Sequence, residues 1–103
     1  ALRGAPQSVS GRFLCAHNQL TSLHHAPKIV GGTFSCADNL LTSLHYAPST
    51  VGENFLCRGN KLVNLFDAPK EFRVLYSDHG DFDSYADILD LERERARRHA
   101  RDA

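Results

Sequence analysis

The sequence repeats itself with a period of 21 residues. The segments PQSVSGRFLCAHNQLTSLHHA, PKIVGGTFSCADNLLTSLHYA and PSTVGENFLCRGNKLVNLFDA follow one another without a gap, and each of them starts at a proline. Apolar, Asn and Pro positions recur in phase, which indicates three copies of one supersecondary unit. Such a unit buries its apolar side only against a neighbouring copy, so the repeat predicts a stacked architecture.

Each repeat contains a short alternating pattern that predicts a β-strand. In the first copy, Phe13 and Cys15 alternate with Arg12, Leu14 and Ala16. Because successive side chains of a strand point to opposite faces, we expect Phe and Cys inside and the other three outside. The outward positions of successive copies then form four columns: Arg12, Thr33, Asn54 and Leu75; Leu14, Ser35, Leu56 and Ser77; Ala16, Ala37, Arg58 and His79; and His17, Asp38, Gly59 and Gly80.

The cysteines occupy one equivalent position per repeat, at Cys15, Cys36 and Cys57. Equivalent residues of parallel strands lie about 4.8 Å apart, which suits thiols packed as small apolar side chains better than an unstrained disulfide. We therefore expect reduced core cysteines in a reducing compartment, which favours a cytoplasmic protein. A zinc ion held by three thiolates is the alternative, although a ladder spreads the thiols along a line.

One asparagine follows each cysteine at a fixed distance, at Asn18, Asn39 and Asn60. A side-chain amide supplies both a donor and an acceptor to backbone groups that a turn leaves unpaired. These positions therefore predict a buried structural ladder and not a binding site.

A fourth copy begins at Pro69 and then loses the pattern. In the register of the first three copies, Tyr76 replaces Phe, Asp78 replaces Cys and Asp81 replaces Asn. From about Ser84 to Arg101 the sequence is typical of a helix, with Asp83 or Ser84 as N-cap, acidic residues early and arginines late. We divide the chain into residues 1–81, three full repeats and a degenerate fourth, and residues 82–103, a C-terminal capping helix with an Arg-rich tail.

Composition excludes several classes of function. The 103 residues allow one domain, and 12 basic and 12 acidic residues give zero formal net charge, which does not favour nucleic acid or anionic lipid as the partner of the whole molecule. No apolar run approaches the roughly 18 residues of a membrane span. Phosphate-binding loops, nucleophile elbows and paired carboxylates in an apolar setting are missing from the sequence, so we predict neither catalysis nor a cofactor nor a metal site.

With its FxCxxNxLTSL core and its Ala-Pro corner, the repeat resembles the short leucine-rich repeats of bacteria and bacteriophages, including those of secreted bacterial effectors. The resemblance covers roughly residues 2–81. It implies a leucine-rich-repeat solenoid with a short parallel β-sheet on the concave face, an irregular convex side and a C-terminal capping α-helix. Such proteins bind other proteins and have no catalysis of their own. The resemblance therefore implies an inhibitor or adaptor of a bacterial protein, and, by analogy, a counter-defence or effector-like role in the host cytoplasm.

The outward strand positions are the predicted site for a protein partner. Two exposed leucines beside charged side chains form the mixed patch that anchors many protein interfaces. An ordinary solvated sheet face is the alternative, since single exposed apolar residues are common. The predicted partner-binding residues are Arg12, Leu14, His17, Asp38, Asn54, Leu56, Arg58 and His79.

The C-terminal helix offers a secondary basic patch, for which nucleic acid or an acidic surface is the alternative partner. Its members are Arg93, Arg95, Arg97, Arg98 and Arg101. Arginines at consecutive positions spread around a helix, and Glu94 can pair with the arginines three and four residues later. No aromatic residue for base stacking is interleaved with them, so we favour a solvated helix over a binding site for nucleic acid or an acidic surface.

Three further features of the sequence have both a structural and a functional interpretation. Equivalent positions of successive copies place His24 beside His45, followed by Phe66, and place His25, Tyr46 and Asp67 in the neighbouring row. The pair His24 and His45 could hold zinc, but the usual third and fourth ligands are missing, so we expect surface histidines. The cluster Asp78, His79, Asp81, Asp83 allows a metal-binding turn, although a degenerate repeat explains it more simply. Residues 1–5 are predicted to be the tail of a preceding repeat with no visible cap, and an open strand edge is a candidate contact for a second copy, as a homodimer or a self-assembling piece.

Overall fold

The computed structural model describes residues 2–102, and of residues 101 and 102 only the backbone. This part of the chain forms eight short strands and a C-terminal helix. They are β1 (Ser8–Val9), β2 (Phe13–Leu14), β3 (Ile29–Val30), β4 (Phe34–Ser35), β5 (Thr50–Val51), β6 (Phe55–Leu56), β7 (Leu75–Ser77), β8 (Gly80–Phe82) and α1 (Tyr85–Asp102).

The strands form two sheets, and both strands of each 21-residue unit lie in its first half. In the first, β1, β3 and β5 pair in parallel, so that Val9 lies beside Val30 and Val30 beside Val51. In the second, β2, β4, β6 and β7 pair in parallel, and β8 returns antiparallel to β7. The fold is thus two mostly parallel sheets and a C-terminal helix. The prediction contained one parallel sheet, and the sheet of β1, β3 and β5 was not predicted.

The core contains the residues predicted to point inward from the strands. Phe34 and Phe55 are fully buried, and the Phe13, Phe34 and Phe55 rings stack with centroids 5.6 and 5.3 Å apart. All three cysteines are buried and free, which confirms the thiol ladder. Because each copy places the same apolar side chains in register, neighbouring copies bury one another's ring faces.

The asparagine ladder is confirmed at its second and third positions. The Nδ2 atom of Asn39 donates to the carbonyls of Cys15 and Cys36, and its Oδ1 accepts the Leu20 amide at 3.0 Å. Asn60 makes the same bonds one copy later. Asn18 is exposed and donates only within its own copy. The amide therefore joins two copies wherever a copy precedes it in the stack.

The fourth copy is one residue shorter than the others. The period holds as far as Glu71, but Phe55 pairs with Leu75 and not with Tyr76. Leu75 is therefore the fully buried core residue, Ser77 is the buried equivalent of Cys57, and Tyr76 lies outward. The predicted columns that placed Leu75 and Ser77 outside are wrong by one residue. The observed register buries the aliphatic side chain of Leu75, whereas the expected register would have buried the phenol hydroxyl of Tyr76.

Left-handed backbone recurs at two turns of each copy. The first set is His17, Asp38 and Gly59, and the second is Gly4, His25, Tyr46 and Asp67, with φ between 55° and 91°. Beside the second set, the amide of Ala26 donates to the Leu23 carbonyl at 2.9 Å, and Ala5 donates likewise to Leu2 at 3.0 Å. Residues 2–5 thus form the same turn as the end of a repeat, which confirms that prediction.

The helix α1 packs against the last copy with its first half. Ser84 Oγ accepts the Asp87 amide at 3.2 Å, so Ser84 is the N-cap. Ile88 is buried and Leu91 partly buried against the core, whereas residues 96–100 are exposed. The predicted C-terminal helix is confirmed. No helix within residues 2–102 is long and apolar enough to cross a bilayer.

Candidate functional site

Four neighbouring strands of the second sheet present one side chain each on the outer side. These are Leu14, Ser35, Leu56 and Tyr76, which we call the strand face. Leu14 is 61% exposed, Leu56 and Tyr76 are half-buried, and Ser35 is buried between the leucines. The pleat forces these positions to one side because the alternate residues, Phe and Cys, fill the core. The sheet therefore presents a continuous row with two leucines and a tyrosine.

A charged side chain borders this row at one end. The guanidinium of Arg58 lies over the Tyr76 ring, 5.1 Å from its centroid, and pairs with the carboxylate of Asp81 on β8. That hydrogen bond raises the pKa of Arg58, so the cation is retained at any physiological pH. Ala37, Leu56, Arg58 and Tyr76 line a shallow groove of about 320 Å³. Arginine held flat over a ring leaves donors free for a partner.

The sequence prediction missed Tyr76 and Asp81 as members of this site. Both depend on the shortened fourth copy, and Asp81 also depends on the antiparallel return of β8 beside Tyr76. The local sequence does not show that the fourth copy is one residue shorter than the others. The aromatic side chain of Tyr76 could have indicated a site residue, but the 21-residue period predicted that it lies in the core.

The remaining predicted residues of the strand region lie around the strand face. Arg12 is exposed, and Asn54 is half-buried, with an Oδ1 that is buried without a hydrogen-bond partner in the described part of the chain. His17 and Asp38 occupy left-handed turn positions, and their side chains pair, with Nδ1 and Oδ2 3.3 Å apart. The structure thus brings seven of the eight predicted partner-binding residues to this face or its margin, which are Arg12, Leu14, His17, Asp38, Asn54, Leu56 and Arg58.

His79 is not on the strand face, which corrects the predicted column. It lies in the turn between β7 and β8, where its Nε2 donates to the Leu62 carbonyl at 2.7 Å and its Nδ1 accepts from Arg95 at 2.6 Å. A carbonyl only accepts and a guanidinium only donates, so these two bonds require the tautomer with its proton on Nε2. The shorter fourth copy moves His79 off the strand and makes it part of the cap.

Glu92 completes the contacts between α1 and the last copy. It is 4% exposed, and its Oε2 accepts the Leu65 amide at 2.7 Å and a donor of Arg95 at 3.0 Å. His79, Arg95 and Glu92 therefore satisfy one carbonyl and one amide that no further copy reaches. Sequence reasoning placed Glu92 among the solvated charges of the helix, because nothing local distinguishes it from Glu94.

The described arginines of the secondary basic patch pair with three carboxylates of their own helix. Arg97 and Arg98 both reach Glu94, at 3.5 and 3.3 Å, and Arg93 lies 4.0 Å from Asp90. Arg95 is turned toward the core side and pairs with Glu92. The side chain of Arg101 lies outside the described residues. Pairing three and four residues apart lowers the net charge that phosphate groups would meet, and so argues against this helix as a nucleic-acid site.

Among the described residues, no group of three or more His, Cys, Asp or Glu side chains is placed to hold a metal ion. The three alternatives with zinc or another metal, at the cysteines, at the paired histidines and at the turn after β7, thus receive no support from the geometry. The cysteines follow the line of the stack, and His79 is engaged with Leu62 and Arg95.

Comparison of the chain with protein-family models, curated proteins and solved structures found no match in any of the three. Function is therefore argued from the residues and their geometry.

Proposed function

We propose that the protein is a leucine-rich-repeat solenoid that serves as a non-catalytic protein-binding module, with the strand face on its concave side as the contact surface. The observation that carries the proposal is the row of Leu14, which is exposed, with the half-buried Leu56 and Tyr76 beside Arg58, on strands whose alternate residues fill the core. The 21-residue spacing of paired strands and the recurrent left-handed turns support the solenoid.

The chemistry of the strand face suits a protein more than a small molecule. Tyrosine and arginine are the residue types that contribute most to interface energies, and apolar contacts surrounded by polar side chains exclude water from them. Tyr76 and Arg58 lie together at one end of the row, while Arg12 and Asp38 supply charge at the margin. The groove beside Leu56 is open and shallow, and so fits one apolar side chain of a partner.

The role we propose is that of an inhibitor or adaptor acting on a bacterial protein. Its support is the resemblance to short bacterial and bacteriophage repeats, together with the exposed leucines that the strand face offers to a partner. A counter-defence function in the host cytoplasm is the form of this role that a small rigid binder suits best.

Affinity capture from a bacterial lysate treated with nuclease tests the proposal. The test variant carries Leu14→Glu, Leu56→Glu and Arg58→Glu. Its matched control is Val63→Glu, because Val63 is 70% exposed but lies off the strand face. We expect the wild type and the control to capture the same protein and the triple variant to lose it, while circular dichroism shows all three folded.

Two other results would redirect the proposal. Equal capture by the triple variant would move the contact to the Arg-rich helix or to the open edge of β1 and β2. Capture of nothing, with a mass that rises with concentration in light scattering, would favour self-assembly through that edge, since unpaired edge strands are ready to extend a sheet.

A further inference from the structure

Four exposed rings lie in contact at the turns that end the first and second copies; the two histidines of the first copy are stacked, and the other neighbouring pairs are tilted by 37° and 46°. His25, His24, Tyr46 and His45 follow in that order, with ring centroids 3.8, 4.7 and 4.0 Å apart. We call these residues the ring stack. Tyr46 is 51% exposed and the three histidines are exposed as well. None of these rings fills the core, so packing within the fold does not account for them.

A groove lies on each side of the His24 and His25 rings. The larger, of about 480 Å³, is lined by the ring stack together with Lys28, Gln7 and Ser49. The smaller, of about 330 Å³, is lined by the two histidines together with Arg3 and Ser22. Neither groove has an Asp or Glu among its described lining residues, and the nearest carboxylate is that of Asp67, whose Oδ2 lies 3.6 Å from Nδ1 of His45 at the far end of the ring stack. Each therefore combines aromatic faces, a permanent cation and hydroxyl or amide groups, in a chain whose formal net charge is zero.

We propose that the ring stack and its two grooves bind single-stranded nucleic acid, with bases stacked on the rings and phosphates held by Arg3 and Lys28. Aromatic platforms beside cations are how proteins bind single strands without reading their sequence. An acidic peptide would use the cations but would leave the ring faces unused. A groove on either side of the rings accommodates consecutive nucleotides, which favours a strand over a free nucleotide.

This site is separate from the strand face and from α1. None of the residues that line the two grooves belongs to either of them. The proposal is therefore independent of the proposed protein partner, whose capture is performed in the presence of nuclease. The arginines of α1 lack interleaved aromatics, which argues against nucleic acid at the helix. At the ring stack, by contrast, the packing of copies brings the rings and the cations together.

Fluorescence anisotropy with a labelled single-stranded thymidine oligonucleotide of about 12 nucleotides tests the proposal at about 50 mM salt. One variant, His24→Ala with Tyr46→Asn, removes two rings, and Asn tolerates the left-handed φ of 72° at position 46. A second, Arg3→Glu with Lys28→Glu, reverses the charge. We expect each to weaken binding by about tenfold or more, because one stacked base or one phosphate contact contributes about that much.

The control variant is Arg97→Glu with Arg98→Glu, which changes exposed cations outside the site and should bind like the wild type. The salt dependence should also separate the variants. The slope of log affinity against log salt should become shallower by about 0.7 for each phosphate group that the protein no longer neutralises, so by about 1.4 in the charge variant and by little in the ring variant.

Several outcomes would overturn the proposal. Wild-type protein that fails to bind the oligonucleotide at low salt would do so, as would loss of binding in the helix variant but not in the ring variant. Equal affinity for a matched duplex would exclude stacking of unpaired bases. Competition by adenosine monophosphate at the same concentration as the oligonucleotide would assign the site to a free nucleotide. Identical circular dichroism and thermal midpoints establish that the variants are folded.

Discussion

At the scale of single residues, one side-chain amide joins two copies of the repeat. Asn39 bonds the backbone of its own copy and of the copy before it, and it is only 5% exposed. The Leu20 amide whose hydrogen bond it accepts is itself buried, so no water would replace the asparagine as acceptor. Burial of an unpaired donor costs more than the net gain of the bond that satisfied it.

We expect Asn39→Ala to lower the free energy of unfolding by about 2 to 4 kcal/mol, since it leaves buried backbone groups of two copies unpaired. Asn18→Ala is the matched control, because Asn18 is exposed and bonds only within its own copy. It should cost less than about 1 kcal/mol. Urea unfolding of the two variants measures both values, and equal losses would contradict the cross-copy role of the amide.

The cysteines give stability a dependence on alkaline pH. Burial raises the pKa of Cys15 from its ordinary value of 9.0 to about 11 and that of Cys57 to about 12, and it raises the pKa of Cys36 as well. A group whose pKa is raised by folding contributes its full stability below the unfolded value and loses it as the pH rises toward the folded value. The thiols are therefore neutral in the native state where the unfolded chain already ionises.

We expect the free energy of unfolding to fall as the pH rises from about 8.5 to about 11. A variant with all three cysteines changed to alanine should lose this part of the fall, although it begins from a lower stability because the core loses volume. Urea titrations at several pH values compare the two. Parallel curves would show that the thiols are not desolvated as described.

At the scale of elements, α1 ends the stack by supplying what a further copy would have supplied. His79 donates to the Leu62 carbonyl and Glu92 accepts the Leu65 amide, and Arg95 lies between them and bonds both side chains. In the interior, the carbonyls of Leu20 and Leu41 accept amides of the following copy instead. The helix is therefore a polar cap as well as an apolar cover.

We expect Glu92→Ala to destabilise the protein by about 1 to 3 kcal/mol, because it leaves the Leu65 amide buried without an acceptor. Glu94→Ala is the control on the same helix, where the carboxylate pairs only with exposed arginines. Such surface pairs contribute between about 0 and 1 kcal/mol. Thermal unfolding of both variants measures the two effects, and a Glu94 effect as large as that of Glu92 would argue against the cap.

At the scale of the whole molecule, the strands of each of the first three copies pair with equivalent strands of the adjacent copies. The described part of the chain is elongated, with extents of 44, 25 and 18 Å, and its strands pair with the copy before and the copy after. Stability in such a stack is close to a sum of copies and interfaces. The strand β4 has a neighbour on both sides, whereas β2 has one only and lies at the sheet edge.

We therefore expect amide hydrogen exchange to be slower in the middle of the stack than at its first strand. The Cys36 amide, bonded to the Leu56 carbonyl, should exchange at least about tenfold more slowly than the Cys15 amide, bonded to Ser35. Both amides make equivalent bonds at the same repeat position, so each serves as the control for the other. Uniform protection measured by NMR would show that the stack opens only as one unit.

The local sequence determined those parts of the fold that repeat. Alternation of Phe and Cys predicted the inward faces, the phase of Asn predicted the amide ladder, and Ser84 with its acidic first turn predicted the start of the helix. These features depend on side-chain period and on short-range bonds, which the order of residues expresses directly. The same period placed Leu14, Leu56 and Arg58 together on one face.

Tertiary structure alone decided where the period fails. The fourth copy is one residue shorter, and its register buries Leu75. As a result, Tyr76 lies on the strand face and His79 lies in the cap. The partners of Glu92 and the ring of His24 in contact with Tyr46 likewise belong to other copies or to another element. Such choices depend on which buried group would otherwise lack a partner, and that is known only once the copies are packed.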